Sequence, residues 1–178
     1  PLKRFWYTAG INTNLSQLGV TAANDGRGMA YGASVQWMPT TGEFGPRGGF
    51  GDLEHHEKLA TRFGSSYAYA PDEYRAAPLD QPKPNETQLR LSDGVYAFET
   101  GALADSVTVE YLQYNELAID AGLKYRGWSF QSEFYTRRLS NFVADGPLPL
   151  TSVTDYGAQA QLGYMVVRDK LLMYVSGG

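Results

Sequence analysis

The chain of 178 residues contains no cysteine, so neither a disulfide framework nor a Cys-ligated metal is available to it. It has no run of about 18 apolar residues, which excludes a transmembrane helix. It has no block of one charge sign either. Fifteen Lys and Arg stand against 19 Asp and Glu, for a formal net charge of -4. Without a basic stripe to neutralise phosphates, nucleic acid is not an expected partner. Nucleophile elbows, phosphate-cradling glycine loops and Cys/His constellations are missing, and no stretch carries a helical period. No cofactor is expected.

What the chain does have is aromatic and glycine content. Aromatics make up 13%, with 13 Tyr in the lead, and there are 20 Gly. That bias suits a sheet protein with interface aromatics and close strand contacts.

The organising signal is strict alternation with a period of two. Over 117–125, Leu117, Ile119, Ala121, Leu123 and Tyr125 alternate with Ala118, Asp120, Gly122 and Lys124. Arg126-Gly127 then forms a two-residue turn. The period resumes over 128–138, where Trp128, Phe130, Ser132, Phe134 and Thr136 alternate with Ser129, Gln131, Glu133, Tyr135 and Arg137. A tight turn fixes the register by arithmetic. Tyr125 then faces Trp128, Leu123 faces Phe130 and Ile119 faces Phe134 on an apolar side. Lys124 faces Ser129, Asp120 faces Glu133 and Glu116 faces Arg137 on a polar side. Two neighbouring strands thus agree on which face is apolar. The same rule places further strands at 4–11, 29–38, 59–69, 154–167 and 171–175, seven in all.

Connections alternate in length. Arg126-Gly127 and Arg168-Asp169-Lys170 are short, while 12–27, 71–110 and 141–152 are long and rich in Pro, Asp, Asn and Gly. Short turns at one end and long loops at the other are the pattern of outer-membrane barrels. The 39–58 segment is an exception, being long at the short-turn end. Strands of about ten residues exceed the usual ~5–6 of soluble sheets and match the ~9–11 that cross a bilayer. The expected fold is therefore all-β, an antiparallel transmembrane β-barrel of the outer-membrane porin type, with residues 1–178 forming part of one barrel domain. Because the sequence opens on Pro1 and stops at Ser176-Gly177-Gly178 within a strand pattern, a fragment of a longer mature protein is expected. A soluble β-sandwich is the main rival, since its apolar face would meet a second sheet.

Candidate functional residues follow from the faces. Arg4, Arg62, Glu116, Asp120, Lys124, Glu133, Arg137 and Asp155 are expected on a pore-lining face of mixed charge. Among them Arg62, Lys124 and Arg137 are placed to attract anions, with Glu116, Asp120 and Glu133 tempering that attraction. Tyr125 and Trp128 beside the short turn, and Tyr67 and Tyr69 near a long loop, occupy the positions of interface aromatic girdles. Asp120 opposite Glu133 brings like charges together, so a cation such as Lys124 or Arg62 is expected nearby. That carboxylate pair is also the one feature suggestive of glycosidase chemistry, and nothing else supports a catalytic pocket. The Asp52-Leu53-Glu54-His55-His56-Glu57 run holds both histidines, yet its spacing fits no standard zinc pattern, and a solvated or structural loop is the expectation.

Several stretches resemble the family of phosphate-selective porins O and P. They are Asp52-Leu53-Glu54-His55-His56-Glu57-Lys58, Arg90-Leu91-Ser92-Asp93-Gly94 and Asp120-Ala121-Gly122-Leu123-Lys124-Tyr125-Arg126-Gly127. Glu133-Phe134-Tyr135 and Ala144-Asp145-Gly146-Pro147-Leu148-Pro149 are similar to it as well. The resemblance implies a water-filled barrel of roughly 16 strands, commonly a homotrimer in the bacterial outer membrane, passing small solutes or ions. Seven strands would be less than half of it. The family's phosphate specialists use a ladder of Arg and Lys, and the mixed face here does not carry phosphate selectivity over. The expected function is passive diffusion of small solutes, anionic ones included. The alternatives are a partner-anchoring barrel of little conductance and a soluble binding module.

Overall fold

A computed structural model describes residues 4–13, 29–45, 49–74 and 89–178. Residues 14–27 of the loop expected at 12–27, and 75–88 of the one expected at 71–110, lie outside the described residues, while 12–13 and 71–74 belong to strands.

Seven strands form one antiparallel sheet in chain order: β1 Phe5–Thr13, β2 Met29–Trp37, β3 Ala60–Tyr74, β4 Val109–Tyr125, β5 Trp128–Ala144, β6 Ser152–Val167 and β7 Leu171–Gly177. The all-β expectation holds, and no helix occurs among the described residues. Tyr125 pairs with Trp128, Leu123 with Phe130, Asp120 with Glu133 and Glu116 with Arg137, as the two-residue turn required. β4 and β5 run to 17 residues each, longer than the alternating apolar stretch that revealed them. The extra length includes Tyr111, Leu112, Leu139 and Phe142, and register shifts between Val109 and Gln113 break the period of two there. Ladder irregularities fall between Ala70 and Glu73, beside Pro71 with its missing N–H, and between Val109 and Gln113.

Because side chains in register share a face, one row runs across the sheet as Phe5, Trp37, Phe63, Ala121, Ser132 and Ala160. A parallel row reads Tyr7, Val35, Ser65, Ile119, Phe134 and Ala158. This apolar face stays open: Tyr7 is 75% exposed and Tyr156 78% exposed. No other element covers it among the described residues.

The opposite face is covered at both ends of the strands. At the long-loop end, Leu89, Ala97 and Phe98 pack on Ala30, Ala70, Leu112 and Leu139 in one buried cluster. At the short-turn end, the described residues of the 39–59 segment lie back across the sheet, where Phe44 packs with Met38 and Ala60. The Phe44 ring sits where a Cβ on Gly122 would meet it at 2.6 Å, so only glycine admits this approach.

Arg126 and Gly127 both take positive φ, 47° and 85°, the signature of a type I′ hairpin turn. A Gly127→Ala substitution adds a Cβ at 3.3 Å from the His55 ring, on a backbone that L-residues avoid. The expected loss is about 1–2 kcal/mol, measurable as a lower urea midpoint of unfolding; an unchanged midpoint contradicts the turn assignment.

Candidate functional site

Between the two covered ends, the inner face presents polar groups on β3 to β6. Arg62 and Gly122 share a row with Gln131 and Gln161, and the next row holds Gly64, Asp120, Glu133 and Gln159. Tyr135 lies one row further along and Ser66 beside it.

The like-charged pair is resolved sideways. Arg62 Nη2 stands 3.1 Å from Asp120 Oδ1, in ion-pair contact but without hydrogen-bond alignment. Arg62 Nε and Asp120 Oδ1 have no hydrogen-bond partner among the described residues. Glu133 accepts a bond from Gln159 Nε2 at 3.1 Å on the other side. The Arg62 guanidinium also lies 5.0 Å from the centre of the Phe44 ring, close enough for a cation–π contact.

Other candidates are engaged as well. Arg137 Nε donates to Asp155 Oδ2 at 3.1 Å, and its Nη2 bonds the same oxygen. Glu116 accepts the hydroxyl of Tyr114. Arg4, just ahead of β1, donates to the Pro39 carbonyl at 2.7 Å.

Lys124 departs from its expected role. It belongs to the inner face but is only 1% exposed, sealed beneath the 39–59 segment. Its ammonium donates to the Phe44 carbonyl at 2.9 Å and lies 4.7 Å from the Phe44 ring centre. A wetted pore-lining position for Lys124 is therefore corrected to a buried strut. The cause is a segment 65 and more residues away in the chain, which local alternation cannot show. It is Arg62, not Lys124, that meets Asp120.

The 39–59 segment is held by Asp52. This fully buried carboxylate accepts both the backbone N–H of His56, at 3.0 and 3.1 Å, and the Gly127 N–H at 2.8 Å. The His56 ring joins it through Nδ1 and reaches Glu43 Oε1 through Nε2 at 2.8 Å. Arg126 N–H closes the tie on the His56 carbonyl at 2.8 Å. Asp52, Glu54 and His56 do bring ligand-type atoms within 4.8 Å of one another. The Asp52 oxygens are engaged in these hydrogen bonds, which tie the run to the hairpin. Burial pushes the Asp52 carboxyl up, but bonds from the His56 ring, the Gly127 N–H and the His56 N–H outweigh it. The pKa falls below the ordinary 3.8.

On the apolar face, Trp128 and Tyr164 pair at 4.6 Å between ring centres beside Tyr125. At the long-loop side, Tyr69 stacks on Tyr31 at 6.3 Å, and the Tyr67 hydroxyl donates to Asn115 Oδ1 at 2.8 Å. Sequence reasoning missed Phe44, Phe98 and the glutamine rows. The glutamines were visible as polar positions; the two phenylalanines gave no periodic signal.

Comparison with known proteins finds no matching protein family, no matching curated protein and no matching solved structure. The class that stands is an all-β chain with a seven-stranded antiparallel sheet.

Replacing Asp52 with Ala leaves the Gly127 and His56 donors buried without an acceptor. The expected loss is about 2–3 kcal/mol, read as a lower unfolding midpoint in denaturant. Since the folded pKa lies below the unfolded one, the Asp52 contribution is complete above pH 3.8 and disappears as pH falls through the lowered value. Asp52→Asn should flatten that acid limb of the stability profile; an unaltered limb assigns it to another group.

Proposed function

We propose that the chain forms part of an outer-membrane porin-type β-barrel, a passive diffusion channel for small solutes. The observation that carries this reading is the uncovered apolar face. From the row of Tyr125, Trp128 and Tyr164 up to the edge of the row of Asn115 and Arg138, a span of ten residues on β4, β5 and β6, it holds no charged side chain. Ten residues span about 34 Å along a strand, or about 26 Å at a barrel tilt near 40°, which fits the ~25 Å apolar band of such proteins. Seven strands at ~4.8 Å spacing make the face about 1,000 Å², well beyond the few hundred that soluble monomers expose. Aromatic rings gather at both limits of the band, and the first charge, Arg138, stands at its edge.

In this reading the bilayer is the partner of the apolar face and the polar face lines the path. Closure of the sheet follows from the bilayer, because open strand edges leave backbone groups without partners in hydrocarbon. The solute preference is weaker toward anions than the cation count alone implies. Arg62 and Arg137 are matched by Asp120 and Asp155, and Lys124 is covered.

A second reading, a barrel that anchors partners and conducts little, is favoured by the two inward-packed segments around Phe44 and Phe98. Conductance of the full-length protein in planar bilayers separates the two.

Two substitutions test the assignment of faces. Phe134→Arg places a charge near the middle of the band, and folding into vesicles should lose about 2–4 kcal/mol; a change near zero removes the lipid face. Asp120→Asn should shift the reversal potential toward anions and Arg62→Gln toward cations. Each charge is worth about 1 kcal/mol at 4 Å in water, a severalfold change in permeability ratio. If neither moves the reversal potential, these side chains lie off the conducting path.

A further inference from the structure

We infer that the polar face holds a binding site for a neutral polyhydroxyl solute, a mono- or disaccharide, between Phe50 and the glutamine rows of β5 and β6. The inference rests on the reading of this face as a water-filled path. A concavity of about 310 Å³ lies there, lined by Phe50, Arg62, Asp120, Gln131, Glu133 and Gln159, with Gln161 beside them. That volume is at the low end for small-molecule sites and suits one or two sugar rings.

Phe50 is the anomaly that points to a ligand. It is 60% exposed on a face otherwise furnished with charges, amides and hydroxyls. Gln131 Nε2 lies 3.4 Å from the Gly49 carbonyl, which fixes the backbone beside that ring over the strands. An exposed aromatic ring offers a flat apolar surface to the C–H side of a pyranose, while the surrounding groups meet its hydroxyls.

The polar partners are the right kind. Gln131, Gln159 and Gln161 each carry a donor and an acceptor, as a hydroxyl does. Arg62 and Asp120 border the concavity as an ion pair, with Arg62 Nη2 3.1 Å from Asp120 Oδ1. Charge disfavours the anionic ligand class. Arg62 and Asp120 compensate each other, which leaves Glu133 uncompensated and the site unattractive to phosphate or other anions. A cationic amino acid would find a single carboxylate already bonded to Gln159 and no second acid free of a cation.

The test uses the full-length protein in detergent and in planar bilayers, with maltose, lysine and inorganic phosphate as probes. Calorimetric titration should show maltose binding in the millimolar range with neither lysine nor phosphate competing. Maltose should also reduce the ion current in a saturable way. Phe50→Ala, on an open surface, and Gln161→Leu, at a half-buried position, should each weaken binding about tenfold, equivalent to 1.4 kcal/mol. Maltose binding absent in a conducting channel overturns the saccharide site and leaves the channel standing. Binding that neither substitution weakens, or binding of lysine or phosphate in place of maltose, overturns it too. Maltose binding without any ion current supports the site and overturns the channel.

Discussion

Every strand pair in this sheet sets apolar residues opposite apolar residues, and that register is the constraint from which the rest follows. Side chains alternate at each step, so a slip of β5 by one residue would carry Glu133 and Arg137 to the apolar face and bring Phe134 and Thr136 inward. The Arg126-Gly127 turn fixes the slip at zero for β4 and β5, and six consecutive pairings transmit the choice from β1 to β7. The cost of error is large because it is shared. Shifting one strand misplaces every side chain on it, and its neighbours lose their cross-strand partners together.

The turn does not act alone. Arg126 adopts a backbone conformation that a side chain ordinarily avoids, and two hydrogen bonds from the neighbouring segment hold it there. Asp52 is the centre of this arrangement. Its carboxylate joins the hairpin to the 39–59 segment, and that segment in turn lays Phe44 over Gly122, Lys124 and Arg62. One buried acid thus links the geometry of a turn to the shape of the polar face. With Phe98 and its neighbours packed at the other end, the exposed polar stretch is confined to the middle of β3 to β6.

Much of the fold was legible because its signal is local and periodic. Leu117, Ile119, Ala121 and Leu123 declare a strand face by spacing alone, and the short turn converts two such strands into a register. The faces of Asp120, Glu133 and Arg137 could be assigned in the same way. What could not be read was which charges meet. Glu116 faces Arg137 across the ladder, yet Arg137 bonds Asp155 on its other side, and Asp120 turns to Arg62. Each position has a neighbour on two strands, and side-chain reach and the angle of approach choose between them.

The sequence by itself determined the strand set, the face of each residue and the register of the central hairpin, since all three follow from a period of two and a two-residue turn. Tertiary structure decided what covers the polar face. The 39–59 segment has no period, and its course depends on one carboxylate finding the Gly127 N–H in a turn 75 residues later. For that reason Lys124, polar by position and charged by chemistry, ends as a buried strut, while Phe50, apolar by chemistry, stands exposed beside the glutamines.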